Sequence, residues 1–130
     1  MTDLIVTTSA LEFARNKIND SLIKAGVHTV LLLDQAGNIV ASCGGNPDID
    51  ITSLAALTAA NFAATSQLAK LIGEDDFSLL FHKGKKDSLH FARVNNDLIM
   101  VSIFSDNISL GLVRLRVAEL IKTLKDLFES

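Results

Sequence analysis

The apolar positions of the chain repeat with two different periods, and the alternation between them gives the order of the predicted elements. Three segments have the spacing of helices that pack on one face. Five shorter segments are rich in aliphatic and phenylalanine residues and are bounded by turn residues, which is typical of strands. The predicted helices are Ala10–Lys24, Ser53–Ile72 and Leu110–Phe128, and the predicted strands are Val27–Leu33, Asn38–Cys43, Phe77–Lys83, Ser88–Asn95 and Leu98–Phe104.

Polar residues suited to N-caps precede all three helices. Ser9, followed three residues later by Glu12, forms a predicted capping box for the first helix. Thr52 and Ser109 are the predicted N-caps of the second and third helices. Gly73 stands where a C-terminal glycine ends a helix with a positive φ. We therefore expect three helices with defined ends.

Short turns join most of the predicted strands. Asp34–Gly37 has turn chemistry between the first two strands, and residues 84–87 and 95–97 join the last three. Neighbouring strands joined in this way are antiparallel. The strands that begin at Val27 and Leu98 are apolar on both faces, so the centre of the sheet needs cover on both sides. The sequence therefore predicts an α+β fold, an α/β/α sandwich with a five-stranded antiparallel sheet.

The second helix has less polarity than a helix with one side in water. No charged residue occurs from Thr52 to Ala69. On a helical wheel most of its larger residues fall in one stripe, which is the predicted sheet-facing side. That stripe contains Leu54, Leu57, Thr58, Asn61, Thr65, Leu68 and Ile72, flanked by Phe62 and Ala69. The opposite side contains Ala56, Ala59, Ala60 and Ala63, with Gln67 and Lys70 near the C-terminal end.

Two interpretations fit this alanine-rich outward side. Alanine is the best helix former, so a solvent-facing helix can be rich in it without any partner. Alternatively, small side chains let another backbone approach closely, and a second chain covers the helix. A two-fold pairing with its own copy is the simplest arrangement, because most dimers are isologous. The apolar third strand is either an ordinary core strand or, at a sheet edge, a surface that a partner strand covers.

Composition excludes several classes of function. The chain has 130 residues, of which 48% are hydrophobic, enough for one domain with an ample core. A net charge of −3 with scattered basic residues argues against a nucleic-acid partner. The single cysteine, Cys43, cannot form an internal disulfide and is predicted to be buried. We expect no membrane insertion and no export signal at Met1–Leu4, and hence a cytoplasmic protein.

No constellation of residues predicts bond chemistry. With a four-residue turn between them, His82 and His90 point to opposite faces of their hairpin and share no metal site, although a three-residue turn would reverse this. Gly84–Lys86 is similar to the end of a phosphate loop, but Leu79 stands where that motif needs a glycine. We therefore expect no metal, no cofactor and no catalytic residue, and the chain is not predicted to be an enzyme.

Four segments resemble the roadblock (dynein light-chain) family, and the likeness extends over nearly the whole chain. They are Leu31–Ala41, Leu68–Gly73, Phe81–Lys85 and Ser109–Arg116, of which the last two are the more specific. The resemblance is strongest to bacterial members that act on a small Ras-like GTPase. It implies one roadblock-like domain over residues 1–130, with the central helix on one face of the sheet and the terminal helices on the other.

The resemblance also implies the partners. The first is a second copy of the chain, with the central helices packed together and the third strands extending the sheet. The second is a small Ras-like GTPase in its GTP form, whose hydrolysis is accelerated in cell polarity or motility. The implied dimer-interface residues are Ala59, Ala60, Ala63, Ala64, Phe77, Leu79 and Phe81. The implied GTPase-binding residues are Ala56, Ala59, Ala60, Ala63 and Gln67.

Other functions stay open at this point. A passive scaffold of the same fold would bind a GTPase or a peptide without changing hydrolysis. A small-molecule sensor of the profilin or PAS type would need a cavity. If the chain is a GTPase regulator, we expect no arginine finger supplied in trans, because no arginine falls in a predicted exposed loop. The four arginines are Arg15, Arg93, Arg114 and Arg116.

Overall fold

The computed structural model describes residues 7–77 and 79–128. The helices are α1 (Thr8–Ile18), which continues as a π-helical segment (Asn19–Ile23), α2 (Ile51–Leu71) and α3 (Leu110–Leu127). The strands are β1 (Thr29–Asp34), β2 (Ile39–Gly44), β3 (Leu80–Lys83), β4 (Asp87–Arg93) and β5 (Leu98–Ser105). The predicted order of three helices and five strands is confirmed.

The five strands form one antiparallel sheet in the order β2-β1-β5-β4-β3. The two strands that the sequence shows as apolar on both faces, β1 and β5, are neighbours at its centre. Their residues are buried almost throughout, which explains the absence of polar alternation. β2 and β3 are the edge strands, so β3 has an edge with no partner strand within the described residues.

Two hydrophobic cores lie on opposite faces of the sheet, because successive strand residues point to opposite sides. Leu32 and Met100 pack with Ile18 of α1 and Val117 of α3 on one face. The other face, which includes Leu31, Val101 and Phe91, packs against Ala55 and Phe62 of α2. The sheet therefore carries α1 and α3 on one side and α2 alone on the other, as predicted.

The start of α1 differs from the prediction. The hydroxyl of Thr7, and not of Ser9, caps the helix by accepting a hydrogen bond from Ala10 N at 3.1 Å. Ser9 lies inside the first turn of α1, after the cap. The predicted helix end near Lys24 holds once the π-helical continuation is included, and Gly26 follows with a φ of 118°.

The cap of α2 also lies earlier than predicted. Asp50, and not Thr52, is the N-cap, because its Oδ1 accepts a hydrogen bond from Ser53 N at 3.1 Å. Hydrogen bonds from the Ser53 hydroxyl and N–H hold the pKa of Asp50 below its usual value. The predicted cap of α3 is confirmed, since Ser109 Oγ accepts from Leu112 N at 3.2 Å.

The third strand is shorter than predicted. The ladder between β3 and β4 runs only from Leu80–Phe91 to Lys83–Ser88, so Phe77 and Leu79 precede the strand. Asp76 is hydrogen-bonded to Arg93, which holds the chain near the end of β4 before it enters the ladder. Ser78, included in the predicted strand, and Met1–Leu4, where no export signal was predicted, lie outside the described residues.

Among the residues that the structure describes, no helix combines the length and the apolar character needed to cross a membrane.

Candidate functional site

The central helix α2 packs on the sheet through a side that only partly overlaps the predicted one, since Thr58 and the flanking Phe62 and Ala69 are buried as predicted. Leu57 and Leu68, predicted to face the sheet, are 70% and 57% exposed. Phe62 anchors the helix, and small neighbours such as Ala55 let it lie close to the strands. The larger leucines are therefore turned outward. The buried residues of α2 are Ala55, Thr58, Ala59, Phe62 and Ala69.

A row of exposed residues, here called the leucine stripe, runs along one outward side of α2. Its members alternate in steps of four and three residues, which is the spacing of a seam between two packed helices. Leu71, at its end, is 82% exposed, and Ile72 beside it is 69% exposed. The leucine stripe consists of Leu57, Asn61, Ala64, Leu68 and Leu71.

A second exposed row, here called the alanine stripe, lies one residue earlier in the chain and is thus rotated by about 100° around the helix. It contains four of the five predicted GTPase-binding residues. Ala59, the fifth, is only 5% exposed and belongs to the contact with the sheet, so it is not available to a partner. The alanine stripe consists of Ala56, Ala60, Ala63, Gln67 and Lys70.

The leucine stripe lies on the side of α2 that faces the edge strand β3. Asn61 Nδ2 is 3.4 Å from His82 Nε2, which connects the middle of the stripe to the middle of β3. Phe77 and Leu79, just before β3, are exposed. The outward leucines and the entry to the edge strand thus form an apolar region of the kind that marks protein interaction sites.

The alanine stripe lies on the other side, towards the turn between β1 and β2. Gly37 in that turn has a φ of 89°, and a Cβ placed on it would be 2.9 Å from Ala56 Cα. Only glycine therefore permits this close approach of the turn to the helix. Near the other end of the stripe is a cleft of about 190 Å³ whose lining includes Gln35, Ala63 and Gln67.

Arg93, at the end of β4, also lines this cleft and is held in place from three directions. Its guanidinium lies 4.8 Å from the centre of the Phe62 ring. Its Nε donates to Asp76 Oδ2 at 3.1 Å, and its Nη2 donates to Ser66 Oγ at 3.2 Å. The side chain is half-buried and connects β4, α2 and the loop before β3, so it is fixed and does not extend from the surface.

The structure brings together only some of the predicted dimer residues. Ala64 on the leucine stripe, with Phe77 and Leu79, lies on the side of β3, whereas Ala60 and Ala63 belong to the alanine stripe. Ala59 is buried. Phe81 is half-buried and stacks with Phe104 on the opposite face of the sheet, with ring centres 6.1 Å apart. The exposed Leu57, Leu68 and Leu71 were not among the predicted dimer residues, and the four-and-three spacing of the leucine stripe was the signal that could have pointed to them.

Two buried titratable groups, His90 and Cys43, lie on the face of the sheet opposite α2. His82 and His90 are on opposite faces of the hairpin, as predicted for a four-residue turn. Burial under α3, together with the charge of Arg114, lowers the pKa of His90 to about 4, and its Nδ1 has no hydrogen-bond partner among the described residues. Burial raises the pKa of the Cys43 thiol, which Arg15 partly opposes. The described residues contain no cluster of three or more metal-ligating side chains.

Comparison with known protein families identifies the class of the chain. A model of the Roadblock/LC7 domain matches residues 17–104, which is more than half of the sequence. The chain therefore belongs to the Roadblock/LC7 family, a family of regulatory domains. Its three helices and five-stranded antiparallel sheet, with α2 alone on one face, are the roadblock fold that the sequence resemblance implied.

Among the solved structures similar to the chain is MglB from Myxococcus xanthus, with 40% identity and a TM-score of 0.87 over 97% of this chain and 95% of that one. The gliding protein MglB from Thermus thermophilus is 27% identical, with a TM-score of 0.89 over 99% and 98% of the two chains. Profilin IA from Acanthamoeba castellanii, 16% identical with a TM-score of 0.60 over 86% and 96%, shares the fold alone. None of the curated proteins compared with the sequence matches it significantly.

Proposed function

We propose that the chain is a homodimeric regulator, not itself an enzyme, that binds the GTP form of a small Ras-like GTPase and accelerates GTP hydrolysis in cell polarity or motility. Membership of the Roadblock/LC7 family and 40% identity to an MglB support this proposal. The observation that carries it is the outward side of α2. This 21-residue helix leaves two stripes exposed, and neither has a charged residue before Lys70.

The leucine stripe is the side proposed to meet a second copy. Its four-and-three spacing suits packing of two helices along a common seam, and a polar Asn61 at one position of such a seam sets the register. The edge of β3 lies beside it. Pairing of this strand with the same strand of the copy covers hydrogen-bonding groups that an edge strand leaves open. One two-fold contact therefore covers both the outward leucines and the sheet edge.

The alanine stripe is the side proposed to meet the GTPase. Its small side chains allow the backbone of a partner to approach, and the cleft with the fixed Arg93 offers a place for a partner side chain. The role of the contact is positional. It favours a conformation of the GTPase in which that protein's own residues orient the attacking water and stabilise the transferred charge.

No arginine finger is part of the proposal. Arg93 is bound to Asp76 and Ser66, and the other three arginines lie on α1 and α3, on the opposite face of the sheet from α2. The proposal also assigns the two partners to different side chains. The second copy meets the leucine stripe and the GTPase meets the alanine stripe, so the two partners do not compete for one surface.

The test has two steps. The GTPase is first captured from the source cell by this chain in the presence of a GTP analogue. The rate at which that GTPase releases phosphate from GTP is then measured with and without the chain. We expect the unmodified chain to increase the rate at least tenfold, which corresponds to about 1.4 kcal/mol of barrier. Ala63→Arg should abolish the increase while the chain stays dimeric, because a long charged side chain keeps the partner's backbone away. Ala63→Ser, which stays small, should retain it.

The alternative outcomes are distinct. GTP-dependent binding without any change in turnover contradicts the proposed acceleration and indicates a passive scaffold. Full stimulation by the Ala63→Arg variant contradicts the assignment of the GTPase contact to the alanine stripe.

A further inference from the structure

A further cleft, here called the β4-edge cleft, lies where β4 continues past the start of β3. The ladder between these strands ends at the pair Leu80–Phe91, so Ala92 and Arg93 have no partner on β3 as the structure describes it. The segment before β3 and one side of α3 form the walls of the cleft. Its volume of about 290 Å³ is close to the lower limit for sites that bind small ligands.

Two buried polar atoms beside this cleft have no hydrogen-bond partner within the described part of the chain. His90 lines the cleft and is 5% exposed, and its Nδ1 is one of the two atoms. The other is Oγ of Ser102, the fully buried cross-strand neighbour of His90. Buried polar atoms in proteins are normally paired with protein or with an ordered small molecule. The two atoms therefore indicate that a polar group from outside the chain completes this wall.

The charges that line the cleft favour an anion. They belong to Asp76, Arg93 and Arg114. Asp76 and Arg93 are paired with each other at 3.1 Å, whereas Arg114 makes no ion pair among the described residues. Burial and the charge of Arg114 lower the pKa of His90 to about 4, so at pH 7 its neutral ring offers one N–H donor. A guanidinium and a neutral N–H donor together suit a carboxylate, which accepts hydrogen bonds from both.

The rest of the lining is mostly apolar and selects the body of the ligand. Phe77 and Leu80 form the wall near β3, and Val117 and Ile121 form the wall on α3. An inorganic anion would leave these side chains uncovered. A ligand with an apolar body would cover them, which is the usual division of a small-molecule site into apolar walls and a few polar groups that fix orientation.

We propose that the β4-edge cleft binds a small carboxylate with an apolar body, its carboxylate at Arg114 and His90 and its body against Phe77 and Ile121. Arg114 and His90 lie on the face of the sheet opposite α2, away from both the leucine stripe and the alanine stripe. The site therefore does not depend on the homodimer or on the GTPase, and it can fail or hold separately from the proposed function.

The test uses phenylacetate as the probe, with phenylacetamide as the matched compound of the same shape without charge. Two-dimensional NMR of the unmodified ¹⁵N-labelled chain measures binding of each. We expect phenylacetate to shift the backbone signals of His90 and Ala118, with a dissociation constant of about 1–10 mM, as for a ligand of this size. Phenylacetamide should bind at least about tenfold more weakly, because it lacks the charge-assisted hydrogen bonds.

Two variants of α3 test the assignment to this cleft. Arg114→Gln removes the free cation and should weaken phenylacetate binding about tenfold or more. Ala118→Phe fills the cleft from α3 and should abolish binding, and the exposed position of Ala118 makes a loss of the fold unexpected, which the NMR spectrum checks. Lys122→Gln removes a charge from an exposed position of α3 outside the lining of the cleft, and this matched control should bind phenylacetate normally.

Three results would overturn the proposal. The first is the absence of any shift at phenylacetate concentrations well above the expected dissociation constant. The second is equal binding of phenylacetate and phenylacetamide, which would remove the role of the carboxylate. The third is unchanged binding by both Arg114→Gln and Ala118→Phe, which would place the probe elsewhere on the chain.

Discussion

The two long helices α2 and α3 lie on opposite faces of the same sheet and meet their surroundings differently. α3 has charged residues along its whole outward side, and its exposed Leu115 stands between two arginines. α2 has one charged residue near its end and exposes a row of leucines. The charged residues of α3 are Arg114, Arg116, Glu119, Lys122, Lys125 and Asp126, and that of α2 is Lys70.

This difference is informative because the two helices contribute comparably to the fold. Each buries a row of side chains against the sheet, but α3 shares its face with α1, whereas α2 is alone on the other face. The exposed leucines of α3, Leu112 and Leu115, are only two and stand beside charged residues, which is normal for a surface. On α2 the exposed leucines form a repeated seam, which supports the proposed cover by another chain.

The largest expected effect comes from Leu68→Arg compared with Leu115→Arg. Both leucines are 57% exposed in the single chain, so the two substitutions are matched in chemistry and in exposure. A charge buried in an interface without a partner costs about 3–5 kcal/mol, so Leu68→Arg should weaken the dimer at least ~100-fold. Leu115→Arg should leave it intact. Sedimentation velocity measures both, and equal behaviour of the two variants would remove the distinction between the helices.

A smaller effect is expected from the histidines on the two faces of the β3–β4 hairpin. His90 lies under α3, and burial lowers its pKa to about 4 from an ordinary 6.5. Between these values the unfolded chain binds the proton more readily, so stability falls as pH decreases. Between pH 7 and pH 5 the free energy of unfolding should fall by about 2 kcal/mol on account of His90.

Urea unfolding of two variants checks this expectation. His90→Phe should lose the His90 contribution to the pH dependence, whereas His82→Phe, at the exposed histidine beside α2, should keep it. If His90→Phe retained the full slope between pH 7 and pH 5, α3 would not shield the sheet from water as described.

The sequence predicted the order of the elements but not the rotation of α2. Strand positions followed from turns and from apolar runs, which are local signals. The rotation depended on packing, because a helix that is apolar on most sides gives no contrast between its faces. Size alone pointed Leu57 and Leu68 inward, whereas close approach of Ala55 and Ala59 to the sheet, with Phe62 as anchor, turned the leucines outward.

Other differences have equally local causes. Asp50, Thr52 and Ser53 are all suitable caps, and composition cannot decide which of several neighbouring polar residues precedes the first turn. The late start of β3 follows from the bond between Asp76 and Arg93, 17 residues apart, which no local pattern reveals. For the same reason, the division of the candidate site into two stripes became visible only when α2 was placed on the sheet.

The smallest expected effect concerns arginines associated with the two helices. Arg93 of β4 bonds to Ser66 of α2 and to Asp76 of the loop before β3, so Arg93→Gln should lower the free energy of unfolding by about 1 kcal/mol. This value is low for hydrogen bonds to a charged group, because the side chains of Arg93 and Asp76 are about one-third exposed. Arg114→Gln on α3 serves as the control, with no bonded partner to lose among the described residues. Urea unfolding at pH 7 compares them, and an equal loss in both would contradict the role given to Arg93.

Carbene footprinting with mass spectrometry tests most directly whether another chain covers the outward side of α2. It measures how strongly each side chain of the unmodified protein is labelled from solvent. Leu68 and Leu115 have the same exposed fraction in the single chain, so an isolated chain would label them alike. We predict that Leu68, with Leu57 and Leu71, is labelled several-fold less than Leu115 at micromolar concentration. Equal labelling of Leu68 and Leu115 at every concentration would contradict the account.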